Sequence, residues 1–295
     1  MKTLTLLFAS LLAAVVSAQD HFDVPKRTQF IELSSEITGM DYEIMILLPT
    51  SYEASPDASY PVLYLTDAQW DMTLVNSIVG KLNYDKSLVE LVLVGISYQG
   101  ADADYDDLRM QDLSPSQVGQ FHSKSGGAGR FLAFLEETLI PTVEARYRID
   151  PEKRALGGVS MGGLFTLYAM YEKPELFDRF ISISPATVWD DGYIFRKDEA
   201  FAQSGAPLPV RLFLSYGGGE YSAYSEPIAK FQTVLMQRAY EDFALLNWTM
   251  EGERHGGVAA EGWTRGLRWA FRDITPYRPG PMEELLAGSA AGQDE

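Results

Sequence analysis

Ser160, His255 and Glu220 are the residues whose types and spacing point to chemistry. Ser160 lies in Gly157-Gly158-Val159-Ser160-Met161-Gly162-Gly163. A serine hydroxyl attacks an acyl carbon when a base within hydrogen-bond reach takes its proton and an acid orients that base. Gly158 and Gly162, two before and two after the serine, permit a turn too tight for ordinary backbone angles. Such a turn lifts the hydroxyl clear of the chain at a helix N-terminus, where negative charge is stabilised. The pattern alone also fits a glycine-rich turn with an idle serine, so the rest of the chain must decide.

The elements that would position these residues can be read from the apolar runs. Buried strands are expected at Tyr42 to Leu48, Val62 to Thr66, Leu91 to Ser97, Arg154 to Val159, Phe180 to Ser184, Val210 to Tyr216 and Leu246 to Met250. Several lack strict alternation, as strands covered on both faces do. Helical patterns fall at Arg130 to Arg146, Leu164 to Tyr171, Glu226 to Phe243 and Val258 to Arg272, with Pro141 expected to kink or split the first. Strands alternating with helices predict an α/β protein with a mainly parallel central sheet flanked by helices. Gln99 to Gly129 and Trp189 to Pro209 read as loops. Strand, Gly-x-Ser-x-Gly and helix in succession form the nucleophile elbow of the α/β-hydrolase fold.

That fold orders its catalytic residues as serine, acid, histidine. The chain has three histidines. His21 stands near the N-terminus, His122 lies in a polar stretch before the elbow, and His255 alone follows Ser160. His255 comes after the last expected strand, in Glu253-Arg254-His255-Gly256-Gly257, and is the expected base. The acid should follow the strand before that one. Val210 to Tyr216 runs into Gly217-Gly218-Gly219-Glu220, which selects Glu220, with Glu226 as the alternative; Glu253 is too close to His255 along the chain to turn back. An oxyanion hole needs two backbone N–H groups. Met161, next to the nucleophile, supplies one. The other is expected at Gln69, with Ala68 beside it, in the turn after Val62 to Thr66.

The composition bounds the setting. Within 295 residues, Lys2, the apolar run Leu4 to Val16 and Val16-Ser17-Ala18 read as a signal peptide over residues 1–18. Residues 19–275 are expected to form a single domain, and 276–295 a disordered tail. Export, to the periplasm or beyond, follows from the signal; no later stretch is apolar enough to span a membrane. There is no cysteine, which excludes a thiol nucleophile and cysteine-based metal sites. The formal net charge of −17 disfavours nucleic acid and anionic membranes as partners.

Longer motifs extend this reading. Tyr60-Pro61-Val62-Leu63-Tyr64-Leu65-Thr66-Asp67, Arg109-Met110-Gln111-Asp112-Leu113-Ser114-Pro115, Gly126-Gly127-Ala128-Gly129-Arg130-Phe131, the elbow, Ile183 to Asp191 and the surroundings of His255 resemble the putative-esterase family of α/β-hydrolases. The likeness covers about Phe30 to Asp273 and is nearest in kind to the ferric-siderophore esterases. It implies a serine esterase that needs no cofactor or metal and acts on a small-molecule ester. Siderophore-like or aryl esters, feruloyl or acetyl polysaccharide esters and acyl transfer all fall within the family. A non-catalytic binding protein is disfavoured by the intact Ser, acid and His set. Ala68 departs from the glycine that relatives often carry in that turn. The resemblance also implies that Arg109 and Trp189 line the substrate pocket; the alternatives are an Arg109 ion pair with Asp112 and core packing of Trp189.

Overall fold

The computed structural model describes residues 28–100, 102–119, 122–276 and 278–280. His21, the expected signal peptide and most of the expected tail lie outside the described residues. Eight strands form one sheet: β1 (Thr28–Ser35), β2 (Met40–Leu47), β3 (Tyr60–Leu65), β4 (Val92–Tyr98), β5 (Ile149–Val159), β6 (Arg179–Ile183), β7 (Arg211–Gly217) and β8 (Ala244–Met250). Their order across the sheet is β1-β2-β4-β3-β5-β6-β7-β8. β1 pairs antiparallel with β2, and β2 antiparallel with β4. All remaining pairs are parallel. The parallel strands are apolar on both faces because helices cover both; every residue of β3, β4 and β6 is buried.

Two helices cover one face. In α1 (Ala68–Tyr84), Ala68, Met72, Val75, Val79 and Leu82 recur at helical spacing and are buried. They share a core with Val258, Trp263 and Leu267 of α8 (Val258–Ala270). The opposite face carries α2 (Tyr105–Leu113), α3 (Ala128–Phe134), α4 (Ile140–Arg146), α5 (Met161–Glu172), α6 (Trp189–Ser204) and α7 (Ser222–Gln237). Here the aromatic rings of Phe131, Phe134, Phe165 and Phe231 fill the space between layers.

The expected helix at Arg130 to Arg146 is split, as Pro141 requires. α3 runs into a π-helical turn at Leu135–Leu139, and α4 starts with Pro141 in its first turn. Proline has no N–H to donate to the preceding turn, so the ladder breaks there. Two expected loops contain helices instead. α2 lies within 99–129, where the Asp104 carboxylate caps it by accepting from the Asp107 N–H at 3.1 Å. α6 occupies most of 189–209, but Asp190, Asp191 and Gly192 have φ of 49°, 49° and 80°, so its first turn is not helical. β1 and α1 are elements beyond those that the apolar runs predict.

Candidate active site

The C-terminal ends of β5 to β8 gather the candidate residues at one end of the sheet, where ligands of open α/β sheets bind. Ser160 follows β5 directly and caps the N-terminus of α5. Its φ of 60° and ψ of −114° are a strained pair for a residue with a side chain. The surroundings hold it there. Its N–H donates to the Ile183 carbonyl at 2.9 Å, and its carbonyl accepts from Ala186 N–H at 3.1 Å. The flanking glycines serve close approach: a Cβ on Gly158 would lie 2.6 Å from the carbonyl carbon of Gly162, and one on Gly162 would collide with the Thr66 hydroxyl.

Glu220 and His255 come together. The His255 Nδ1–H donates to Glu220 Oε1 at 2.6 Å. The carboxylate also accepts from the Ser184 hydroxyl at 2.6 Å and, through Oε2, from the Gly217 N–H at 2.8 Å. Burial works to raise the Glu220 pKa, but the hydrogen bonds from His255, Ser184 and Gly217 outweigh it, and the carboxyl is held below its ordinary value. The Glu220 side chain is 1% exposed, whereas His255 is 47% exposed, so the acid is fixed and the imidazole is reachable. The loops bearing the two residues are stitched by Gly218 N–H to Met250 O at 2.8 Å and Gly219 N–H to Glu253 O at 2.9 Å. A Cβ on Gly219 would meet the Gly252 carbonyl at 2.8 Å, which explains a glycine there. Glu226, the alternative acid, is exposed on α7.

Met161 is the first residue of α5, and Ala68 and Gln69 are the first two of α1. The first N–H groups of a helix have no partner within it and point outward. The Asp67 carboxylate lies 3.1 Å from the Cβ position of Gly162, so the two helix starts are side by side. Both amide atoms of the Gln69 side chain are buried without a hydrogen-bond partner among the described residues.

Two expectations need correction. Arg109 does not pair with Asp112. Its Nε and Nη2 donate to the two carboxylate oxygens of Asp67, each at 2.8 Å, and Nη2 also reaches Val159 O at 3.5 Å. Asp112 instead accepts from the Tyr42 hydroxyl at 2.7 Å. The Arg109 guanidinium therefore clamps the start of α1, where Asp67 has a left-handed φ of 58°, to the strand before Ser160. Asp67 and Arg109 are 5% and 11% exposed. Arg109→Ala would leave the Asp67 charge buried and unpaired, at a cost of about 3–5 kcal/mol. A lowered thermal midpoint with similar losses on neutral and anionic p-nitrophenyl esters is expected; an elevated KM for the anionic ester alone, with stability intact, would make Arg109 a substrate contact. Trp189 is also placed differently from a stacking platform: it is 6% exposed within the core, and its indole N–H donates to Ser116 Oγ at 3.1 Å. Trp70 is an exposed aromatic on this side, with Arg109 5.4 Å from its ring centre and Tyr105 in a T-shaped contact with it.

Two contacts escaped the sequence reading. Ser184 stands after β6 at a φ of 43° and bonds Glu220. Tyr224, in the first turn of α7, has its hydroxyl 3.5 Å from Ser160 Oγ and its ring against His255. Ser184 falls in a stretch whose pattern stood out; nothing in the spacing separates Tyr224 from its exposed neighbour Tyr221.

A mostly parallel sheet with a strained serine between a central strand and its helix defines an α/β-hydrolase-type protein. Residues 35–234 match the family described as "Putative esterase", and the chain belongs to that family. It is 30% identical over 277 residues to the ferri-bacillibactin esterase BesA of Bacillus subtilis, covering 87% of this chain and 93% of that one. It is 31% identical over 203 residues to a siderophore enterobactin esterase of Emericella nidulans, covering 61% of this chain and 65% of that one. Among solved structures, the BES protein from Bacillus cereus superposes with a TM-score of 0.76 at 26% identity, covering 84% of this chain and 96% of that one. The chain is a carboxylic ester hydrolase.

Proposed function

We propose that the protein hydrolyses its ester through a Ser160–His255–Glu220 triad and a covalent acyl-enzyme. Ser160 Oγ attacks the ester carbonyl carbon while its proton passes to His255 Nε2. Glu220 holds the Nδ1–H and so fixes the tautomer that leaves Nε2 free to accept. The N–H groups of Met161 and Gln69 stabilise the oxyanion. Collapse breaks the ester C–O bond, the alcohol departs with the proton from His255, and water then releases the acid by the same steps in reverse roles. The observation that carries this reading is the 2.6 Å bond from His255 to a buried carboxylate whose other oxygen is also held.

Glu220→Gln is the test of that bond. The acid orients and stabilises but moves no proton in the reaction, so its loss should be milder than loss of Ser160 by roughly 10–100-fold in kcat. Glu226→Gln should be close to wild type. If Glu226→Gln were the more harmful of the two, the acid assignment would move to α7 and the rest would stand.

For the substrate we propose a siderophore-like or aryl ester. The relatives' names point there, and so does a cavity of about 650 Å³ beside the site. Thr187, Val188, Phe195, Arg196, Ala223 and Lys230 are among its lining residues. Thr187 follows Ala186, which bonds Ser160, and Ala223 precedes Tyr224. Lys230 sits 5.5 Å over the Phe195 ring, which gives the wall an aromatic face; Asp191 and Glu226 also line it and Arg196 pairs with Asp190, so Lys230 is the cation that could meet an anionic group there. Arg109, neutralised by Asp67, no longer carries this argument. Feruloyl or acetyl esters and acyl transfer are the competing reactions, and comparing catecholate, feruloyl and acetyl esters with and without an acceptor alcohol separates them. Export through residues 1–18 is part of the proposal; N-terminal sequencing of the mature protein from culture fractions tests it.

A further inference from the structure

Tyr224 touches both groups that the proposed reaction needs. Its hydroxyl is 3.5 Å from Ser160 Oγ and 2.9 Å from the carbonyl oxygen of Ser184. Its ring meets the His255 imidazole in a T-shaped contact, with centroids 5.0 Å apart and planes at 82°. A phenol has one proton to give, and a carbonyl can only accept, so that proton lies on the Ser184 side. Tyr224 therefore presents a lone pair to Ser160, and the serine is the donor. Burial, chiefly, pushes the Tyr224 hydroxyl up to about 12, so the residue stays neutral and does not act as a base.

The lengths decide what this contact can do. At 3.5 Å the bond is at the outer limit of a hydrogen bond, weak enough for Ser160 to leave when His255 takes its proton. Among the described residues, Tyr224 is the hydrogen-bond partner of the Ser160 hydroxyl. His255 has the opposite problem. Its half-exposed ring is tethered through one nitrogen to Glu220, a single hydrogen bond about which the ring can turn. The Tyr224 ring, in its T-shaped contact with the imidazole, restricts that rotation on one side. Tyr224 is held in turn, because its hydroxyl is anchored to the backbone of Ser184, whose side chain bonds Glu220.

We infer that Tyr224 is a positioning residue for the nucleophile–base pair: its phenol oxygen parks the Ser160 hydroxyl in the free enzyme, and its ring keeps His255 aligned. This rests on Ser160 and His255 being nucleophile and base. The two functions of one side chain are separable, since phenylalanine keeps the ring and leucine keeps neither ring nor oxygen.

The experiment compares wild type, Ser160→Ala, Tyr224→Phe and Tyr224→Leu on p-nitrophenyl acetate and in the rate of phosphonylation by a small fluorophosphonate. Thermal midpoints and circular dichroism confirm that each is folded. Tyr224→Leu should lose about 10–100-fold in kcat with KM nearly constant, the scale of a displaced catalytic group. Tyr224→Phe should recover most of that loss, to within about 5-fold of wild type, because the ring is restored. With the parking acceptor gone, its free enzyme should react with the fluorophosphonate a few-fold faster than wild type. A Tyr224→Phe variant as slow as Tyr224→Leu would overturn the inference and put the hydroxyl in the chemistry. A Tyr224→Leu variant with wild-type kcat, or one whose loss lies wholly in KM, would overturn it too. If Ser160→Ala itself still turned over ester, the triad proposal would fail first; if Ser160→Ala is dead and both Tyr224 variants match wild type, the Tyr224 inference alone falls.

Discussion

Ser160→Ala should lower ester hydrolysis by at least roughly 10³-fold in kcat while leaving the fold intact. Among the described residues the hydroxyl makes one long hydrogen bond, to Tyr224, so its removal breaks little of the structure. The backbone that holds residue 160 in its strained conformation bonds through N–H and carbonyl, which alanine keeps. Alanine bears the same left-handed φ cost as serine. Circular dichroism and the thermal midpoint should therefore stay near wild type while kcat collapses. Normal turnover in this variant would remove Ser160 from the mechanism.

His255→Ala should be about as damaging, again by roughly 10³-fold or more, since nucleophile and base act as one unit. The double variant should be scarcely worse than either single one, because removing the base from an enzyme without its nucleophile takes away nothing further. His122 supplies the control. Among the described residues its ring bonds Asp107 of α2 and not Ser160, so His122→Ala should retain near-normal hydrolysis. Equal losses at the two histidines would mean that the histidine assignments are wrong. The measurement is kcat and kcat/KM for a neutral p-nitrophenyl ester across the three variants.

Much of this geometry is legible in the chain. Gly158 and Gly162 announce a turn that only small residues allow, and the structure has backbone and a hydroxyl where their side chains would go. The expected strands at Val62 to Thr66, Arg154 to Val159 and Val210 to Tyr216 coincide within a few residues with β3, β5 and β7, because burial on both faces demands unbroken apolar runs. Glu220 is the expected acid, ahead of Glu226, for its place directly after the strand that becomes β7, and it is the carboxylate that bonds His255. What was missed has physical reasons. β1 is an edge strand whose polar residues face solvent, so it lacks the apolar run of its neighbours. α2 is polar and rests on a side-chain cap from Asp104 rather than on an apolar stripe. α1 did carry a readable stripe, Met72, Val75, Val79 and Leu82, next to a turn that drew attention for its backbone alone.

The residues around the reacting groups were harder. Arg109 has an acid three residues away in sequence, Asp112, yet it bonds Asp67, forty-two positions earlier, because side chains of α2 reach the start of α1, Arg109 to Asp67 and Tyr105 to Trp70. Asp112 instead accepts from the Tyr42 hydroxyl, and burial above all raises its carboxyl pKa to about 6. Trp189 comes after a strand end, as a pocket residue would, but it is buried and its indole N–H reaches Ser116, seventy-three positions earlier. Long-range partners of this kind depend on how helices pack, and no local pattern encodes them.

The central claim is a covalent acyl-enzyme on Ser160, and active-site labelling tests it most directly. The wild-type protein is incubated with a fluorophosphonate, residual esterase activity is followed, and the labelled peptide is identified by mass spectrometry. The account predicts one phosphonyl group per chain, on Ser160, formed in step with the loss of activity and absent from Ser160→Ala. Full activity in protein labelled at Ser160, or complete inactivation with the label on another residue, would contradict it.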